Sequence, residues 1–172
     1  DVDGNGVITT DDRIIYSQRP DVTFGFNNTF NYKGFDLSVF LYARLGQWIA
    51  YDYNTTYRIN ALENGGNVDY WTPENPTNAF PRPNKSKSYT QVTYYSTLKY
   101  EDGSFFKIRD ITLGYTFKPE LLKHLNLSKL RVYATAKNFF TFSKIDNYDP
   151  EQGGSISFPM TKQLVFGLNV EF

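Results

Sequence analysis

The feature that most constrains this chain is a period of two carried through five long stretches. From Val22 to Tyr32 the even positions read Val22, Phe24, Phe26, Asn28, Phe30 and Tyr32. The odd positions there are Thr23, Gly25, Asn27, Thr29 and Asn31. Past Lys33-Gly34 the phase inverts, and Phe35, Leu37, Val39 and Leu41 alternate with Asp36, Ser38, Phe40 and Tyr42. A two-residue turn at Lys33-Gly34 pairs Tyr32 with Phe35, Phe30 with Leu37 and Phe26 with Leu41. Asn31 and Thr29 then fall opposite Asp36 and Ser38 on the other face. A slip of one residue would undo both matches, so this hairpin has one register.

Three further stretches obey the same rule. Phe105–Phe117 sets Ile111, Leu113, Tyr115 and Phe117 against Asp110, Thr112, Gly114 and Thr116. Lys129–Phe142 sets Leu130, Val132, Ala134, Ala136, Phe140 and Phe142 against Arg131, Thr135, Lys137 and Thr141. Met160–Phe172 sets Leu164, Phe166, Leu168, Val170 and Phe172 against Gln163, Gly167, Asn169 and Glu171. Strands of globular sheets average about five or six residues, whereas a tilted membrane strand needs about nine to eleven. The longer alternation predicts an all-β protein built of membrane-spanning strands. No run of apolar residues is long enough for a spanning helix, which needs about twenty.

Composition agrees. Lys and Arg (18) balance Asp and Glu (18), so no net field draws the chain to nucleic acid. Cysteine is absent and histidine occurs once, at His124, which leaves no means of assembling a Cys–His pair or a transition-metal cluster. No glycine-rich phosphate loop is present. Glu101-Asp102 and Asp149-Pro150-Glu151 are flanked by Gly and Pro, and read as solvated loop carboxylates with no base or nucleophile beside them. The chain is read as no enzyme.

The connections sort into two kinds. Lys33-Gly34 is tight, and Lys118–Ser128 is a short link whose Pro119–Lys123 predicts one helical turn. Asp1–Asp21, the stretch from about Asp52 to Ser104, and Ser143–Pro159 are long. Bacterial barrels alternate short periplasmic turns with long extracellular loops in this way. Aromatics gather at strand ends: Tyr32, Phe35, Tyr115, Phe117 and Phe172 towards one rim, and Trp48, Tyr51, Phe105 and Phe106 towards the other. They read as the two girdles of a barrel. Five strands do not close a barrel of at least about eight, so further strands are expected upstream. The opening Asp1-Val2-Asp3, without Met or signal peptide, likewise reads as a piece of something longer.

The sharpest local motif is Asp1-Val2-Asp3-Gly4-Asn5-Gly6-Val7-Ile8-Thr9-Thr10-Asp11-Asp12. It follows the first half of a calcium loop, with oxygen side chains at positions 1, 3 and 5 and glycine at 6. Val7 offers its carbonyl, and Asp12 stands where such loops place a bidentate Glu. A hard divalent cation and an Asx-rich turn without metal both satisfy this pattern. A second segment, Asp69–Arg82, combines Tyr70, Trp71, Glu74, Asn75, Phe80 and Arg82 with several prolines. It suits either a surface for a sugar, peptide or partner, or a self-packed loop stiffened by Pro73, Pro76, Pro81 and Pro83. Phe172, closing an alternating strand, is read as the natural C-terminus and the recognition end for outer-membrane insertion.

Several of these motifs converge on one family. They are the Asp-x-Asp-Gly-Asn-Gly-x-Ile loop at Asp1–Ile8 with Asp12-Arg13, Tyr32–Ser38, Tyr70–Thr77, Phe80-Pro81-Arg82, Lys107–Tyr115, Lys137–Thr141 and Asp149-Pro150-Glu151. In this order, and over the whole chain, they resemble the C-terminal part of SusC/RagA-type TonB-dependent outer-membrane transporters. The resemblance implies a barrel of about 22 strands, of which these are roughly the last five. Residues 1–21 would then be an extracellular loop carrying the calcium-like motif, and residues 22–172 barrel strands and loops. It also implies an N-terminal plug and TonB contact absent from this chain, a SusD-like surface lipoprotein as lid, and import of oligosaccharides or oligopeptides across the bacterial outer membrane. The rival reading is a soluble or cell-surface carbohydrate-binding β-sandwich with structural calcium.

Overall fold

A computed structural model describes residues 1–51, 53, 69–80, 82 and 98–172. Seven strands follow in order: β1 (Val22–Tyr32), β2 (Phe35–Leu45), β3 (Trp48–Ala50), β4 (Tyr100–Asp102), β5 (Phe105–Thr116), β6 (Lys129–Ser143) and β7 (Gln163–Glu171). The five long ones form one antiparallel sheet in the order β1-β2-β5-β6-β7, so each pairs with the next long strand along the chain. The hairpin register is the one the alternation requires, with Tyr32 opposite Phe35, Phe30 opposite Leu37 and Phe26 opposite Leu41. Lys33 (φ 48°) and Gly34 (φ 90°) both take positive φ. That is the type I′ turn whose twist matches the flanking strands.

The register sorts side chains into two faces across all five strands. One row reads Phe30, Leu37, Leu113, Ala134 and Phe166, and the next Tyr32, Phe35, Tyr115, Val132 and Leu168. Between rows of this kind lies Asn28 with Val39, Ile111, Ala136 and Leu164, so Asn28 is the one polar member of the apolar face there. Among the described residues no second sheet covers this face. Phe166 is 77% exposed and Leu168 67%. A β-sandwich buries its apolar face against a partner sheet, so the sandwich reading fails. The opposite face carries Asn31, Asp36, Asp110, Thr112 and Lys137, as expected.

Strict alternation breaks at one place. The register shifts between Ile108 and Asp110 of β5, so that Arg109 is the extra residue against the adjacent Phe40 and Leu41 of β2. On β6, Asn138 takes a left-handed conformation (φ 58°) where Asp110 pairs with Lys137 and Ile108 with Phe140. A bulge adds a residue and re-aims its side chain. Here it lets Ile108 and Ile111, three apart, share the apolar face.

The short link contains the predicted helical turn, Pro119–Leu122, extended by a 3₁₀ turn at Lys123–Leu125 and ended by Asn126 at φ 53°. Leu122 is buried beneath it and His124 is exposed. At the opposite end β3 and β4 pair as a small ribbon that the alternation does not show. Glu101 and Asp102 therefore lie in a strand, and Asp102 meets Lys144 at 3.0 Å. Ile49 of the ribbon and Tyr51 just after it form a buried cluster with Ile145, against which Tyr53, Tyr148 and Ile156 pack. Two expected girdle aromatics are thus interior: Tyr51 belongs to this cluster, and Phe105 lies on the charged face at 2% exposure.

Candidate functional site

The charged face of the sheet is laced by pairs that cross from strand to strand. Arg131 of β6 donates two hydrogen bonds to Asp36 of β2, at 2.8 and 2.5 Å, passing over β5 at Gly114. Gly114 leaves room for that span, because a Cβ there would meet both side chains. Thr112 and Thr135 share a 2.8 Å hydroxyl contact, and Lys137 reaches Asp110 at 3.4 Å. Lys129 and Glu171 pair at 2.7 Å, but both are about half exposed and contribute little in water.

Near the β3–β4 end the ions are deeper. The Lys107 side chain is fully buried, with Asp149 Oδ2 at 2.6 Å and Glu151 Oε2 at 2.8 Å from its ammonium. Glu151 Oε1 meets Arg109 at 3.1 Å, and Asp149 Oδ1 accepts from the Glu151 backbone N–H at 3.0 Å. Arg109 and Arg44 both lie against the Tyr42 ring, and Arg44 Nε donates to the Tyr42 hydroxyl at 2.7 Å. Asp149 and Glu151 are therefore not solvated loop carboxylates. A buried ammonium needs counter-charges, and this loop supplies two. Lys107 and Arg109, two apart, share this face by ordinary alternation, and the sequence signal for the extra residue at Arg109 was the spacing of Ile108 and Ile111, three apart on the apolar face.

Residues 1–12 form a compact, exposed loop. Asp1 Oδ1 accepts from the Gly4 and Asn5 N–H groups, and Asp1 Oδ2 from the Gly6 N–H at 2.8 Å. Asn5 Nδ2 donates to Asp3 Oδ2, and the Val7 N–H to Asn5 Oδ1. Gly4 (φ 75°) and Gly6 (φ 83°) turn the chain so that these groups converge. Asp12 closes the loop, accepting from Val2 at 2.7 Å and from Thr9 at 2.6 Å. Those amides, Thr9 first, hold the Asp12 carboxyl below its ordinary value. Carboxylate oxygens of Asp1, Asp3 and Asp12 all lie within 4.8 Å of one another.

In the Asp69–Arg82 segment Tyr70 bridges Phe80, and the Trp71 N–H donates to the Phe80 carbonyl at 2.9 Å. Asn75 ties Asp69 to the turn at Thr72, while Tyr70, Trp71, Glu74 and Arg82 are exposed. Pro81 and Pro83 lie outside the described residues. Phe172 follows β7 and is 94% exposed.

One antiparallel sheet with long strands, an apolar face open to its surroundings and an ion-laced face opposite, is the wall of a β-barrel that crosses a membrane. Its relatives say the same. The chain is 31% identical over 195 residues to the TonB-dependent receptor P3 of Formosa agariphila, a match covering all of this chain and 18% of that receptor. It is 31% identical over 181 residues to the TonB-dependent receptor SusC of Bacteroides thetaiotaomicron, covering all of this chain and 17% of SusC. It superposes on the RagAB peptide importer in the closed-closed state with a TM-score of 0.73 at 27% identity, over the whole chain and 20% of that one. No family model matches. The chain belongs with the SusC/RagA-type TonB-dependent transporters, as a C-terminal segment of their barrel. It spans less than a fifth of the length of the two receptors it matches.

Proposed function

We propose that the chain is part of the wall of a bacterial outer-membrane transporter that imports oligosaccharides or oligopeptides with TonB-derived energy under a SusD-like lipoprotein lid. The observation that carries this is the uncovered apolar face running across five strands of about spanning length, with the hydrogen-bonded polar face opposite. That pairing of faces suits a lipid boundary outside and a hydrated passage within. Work in such a passage is binding and gating, with no covalent step. The name of the RagAB relatives speaks for peptide, and that of SusC leaves the nutrient open. The test is uptake of labelled oligopeptides and oligosaccharides by cells with and without the full-length protein. Loss of uptake of one class on deletion supports the reading, and unchanged uptake of both overturns it.

Two parts of the chain take roles in the same proposal. The exposed side chains of Asp69–Arg82 contact the lid or the nutrient. Removing residues 70–82 from the full-length protein then lowers recovery of the lipoprotein partner, whereas unchanged recovery and uptake reduce the segment to packing. The Asp1–Asp12 loop holds a calcium ion, with Asp1, Asp3, Asn5, the Val7 carbonyl and Asp12 as ligands. The convergence of three carboxylates fits a hard cation, whose charge would offset their mutual repulsion. Calcium titration of the full-length protein should show one site lost in Asp1→Asn/Asp3→Asn. Equal binding by parent and variant would rule the site out.

A further inference from the structure

We infer that Lys107 is a positioning residue whose buried ammonium, held between Asp149 and Glu151, fastens the β6–β7 loop (residues 144–162) to the inner wall, so that this loop is a fixed part of the pore mouth and not a moving cover. The inference rests on the reading of the charged face as the lining of an importer. Its geometry is independent of any nutrient.

Four carboxylate oxygens are present at the fastening and each is engaged. Asp149 gives one oxygen to Lys107 and one to the Glu151 N–H, and Glu151 gives one to Lys107 and one to Arg109. Pro150, between the two acids, is fully buried, so the loop enters the wall at this point instead of passing over it. A 3₁₀ turn at Pro150–Gln152, capped by Asp149 and closed by Gly153 at φ 66°, presents both carboxylates on the same side. Loops that move are drawn from segments with few buried contacts and solvated hydrogen bonds, whereas residues 145–156 of this one include the buried Ile145, Pro150 and Gly154 and the paired acids.

Two further attachments flank the ion cluster. Gly154 (φ 96°) lies so close to the Ala50 carbonyl that a Cβ would not fit, which seats the loop on β3. Ile145 is buried with Ile49 and Tyr51, and its backbone is held by the Ser143 hydroxyl at 2.7 and 3.1 Å. Of these attachments only the ion cluster joins the loop to the spanning sheet across 44 residues of sequence. Removing the ammonium leaves two largely enclosed acids with Arg109 as their remaining counter-charge, and the charge left over loosens the loop towards water.

The experiment is amide hydrogen exchange, read by mass spectrometry, on the full-length protein in detergent. Lys107→Met should speed exchange within residues 144–156 by about tenfold or more, with β5, β6 and β7 unchanged. Asp149→Asn/Glu151→Gln should do the same from the other side. Arg131→Met, which breaks a pair elsewhere on the same face, should leave the loop at the parent rate. If Lys107→Met fails to form a heat-modifiable barrel, Glu151→Gln is read in its place and should give at least about threefold. A loop that exchanges no faster in any folded variant, or speeds equally in Arg131→Met, overturns the inference. Because no nutrient enters the measurement, failed uptake leaves this result standing, and a failed exchange result leaves the importer reading standing.

Discussion

Asp12 shows how one side chain can hold a loop together from its far end. Its carboxylate takes the Thr9 and Val2 amides, and these hold its pKa below the ordinary aspartate value. A depressed folded value means that its contribution is complete above the unfolded pKa and is lost as pH falls through the folded one. Protection of the Val2 and Thr9 amides, followed by exchange on lowering pH, should therefore persist through neutrality and fail only below about 4. Protection that fades nearer pH 6 would place its cause elsewhere. Gly114 makes the complementary point through what it lacks. A methyl group there meets the two ends of the Arg131–Asp36 pair, so Gly114→Ala should lower stability by about 1–3 kcal/mol in lipid. Gly25→Ala, whose Cβ would sit at an ordinary 3.7 Å from the Phe40 ring, should change it little.

At the scale of the strand, the two faces differ in what they tolerate. Leu113 is 51% exposed on the apolar face, in a row with Leu37 and Ala134. Leu113→Arg should cost roughly 2–4 kcal/mol in urea titrations of the full-length barrel in vesicles, whereas Asn31→Arg, on the polar face, should cost much less. Equal costs would count against a lipid boundary. Alternation predicts these assignments well wherever it is unbroken. It fails at Arg109 because a bulge is a two-strand property: the extra residue is defined only against Phe40 and Leu41 on one side and Asn138 on the other.

For the whole molecule the decisive fact is that β1 and β7 each pair on one side only among the described residues. An unpaired strand edge in hydrocarbon leaves its N–H and C=O groups without partners, at several kcal/mol each. The 172-residue chain made by itself should therefore gain no heat-modifiable barrel form on addition to lipid vesicles, and should aggregate or stay at the interface. A protected, vesicle-inserted five-stranded species would contradict this.

The five long strands, the hairpin register, the two-residue turn, the two faces and the cation-loop spacing all rest on residues a few positions apart. Their physics is local: side chains alternate with period two, Lys33-Gly34 admits positive φ, and Gly4 and Gly6 let neighbouring oxygens converge. Sequence alone therefore determined them. The fastening of Asp149 and Glu151 on Lys107, the β3–β4 ribbon and the inward placement of Tyr51 and Phe105 join residues some 40 or more positions apart. A carboxylate in a Gly- and Pro-flanked loop looks solvated until the fold brings a buried ammonium beneath it. Burial is a property of what surrounds a residue in space, and only the tertiary structure decided that.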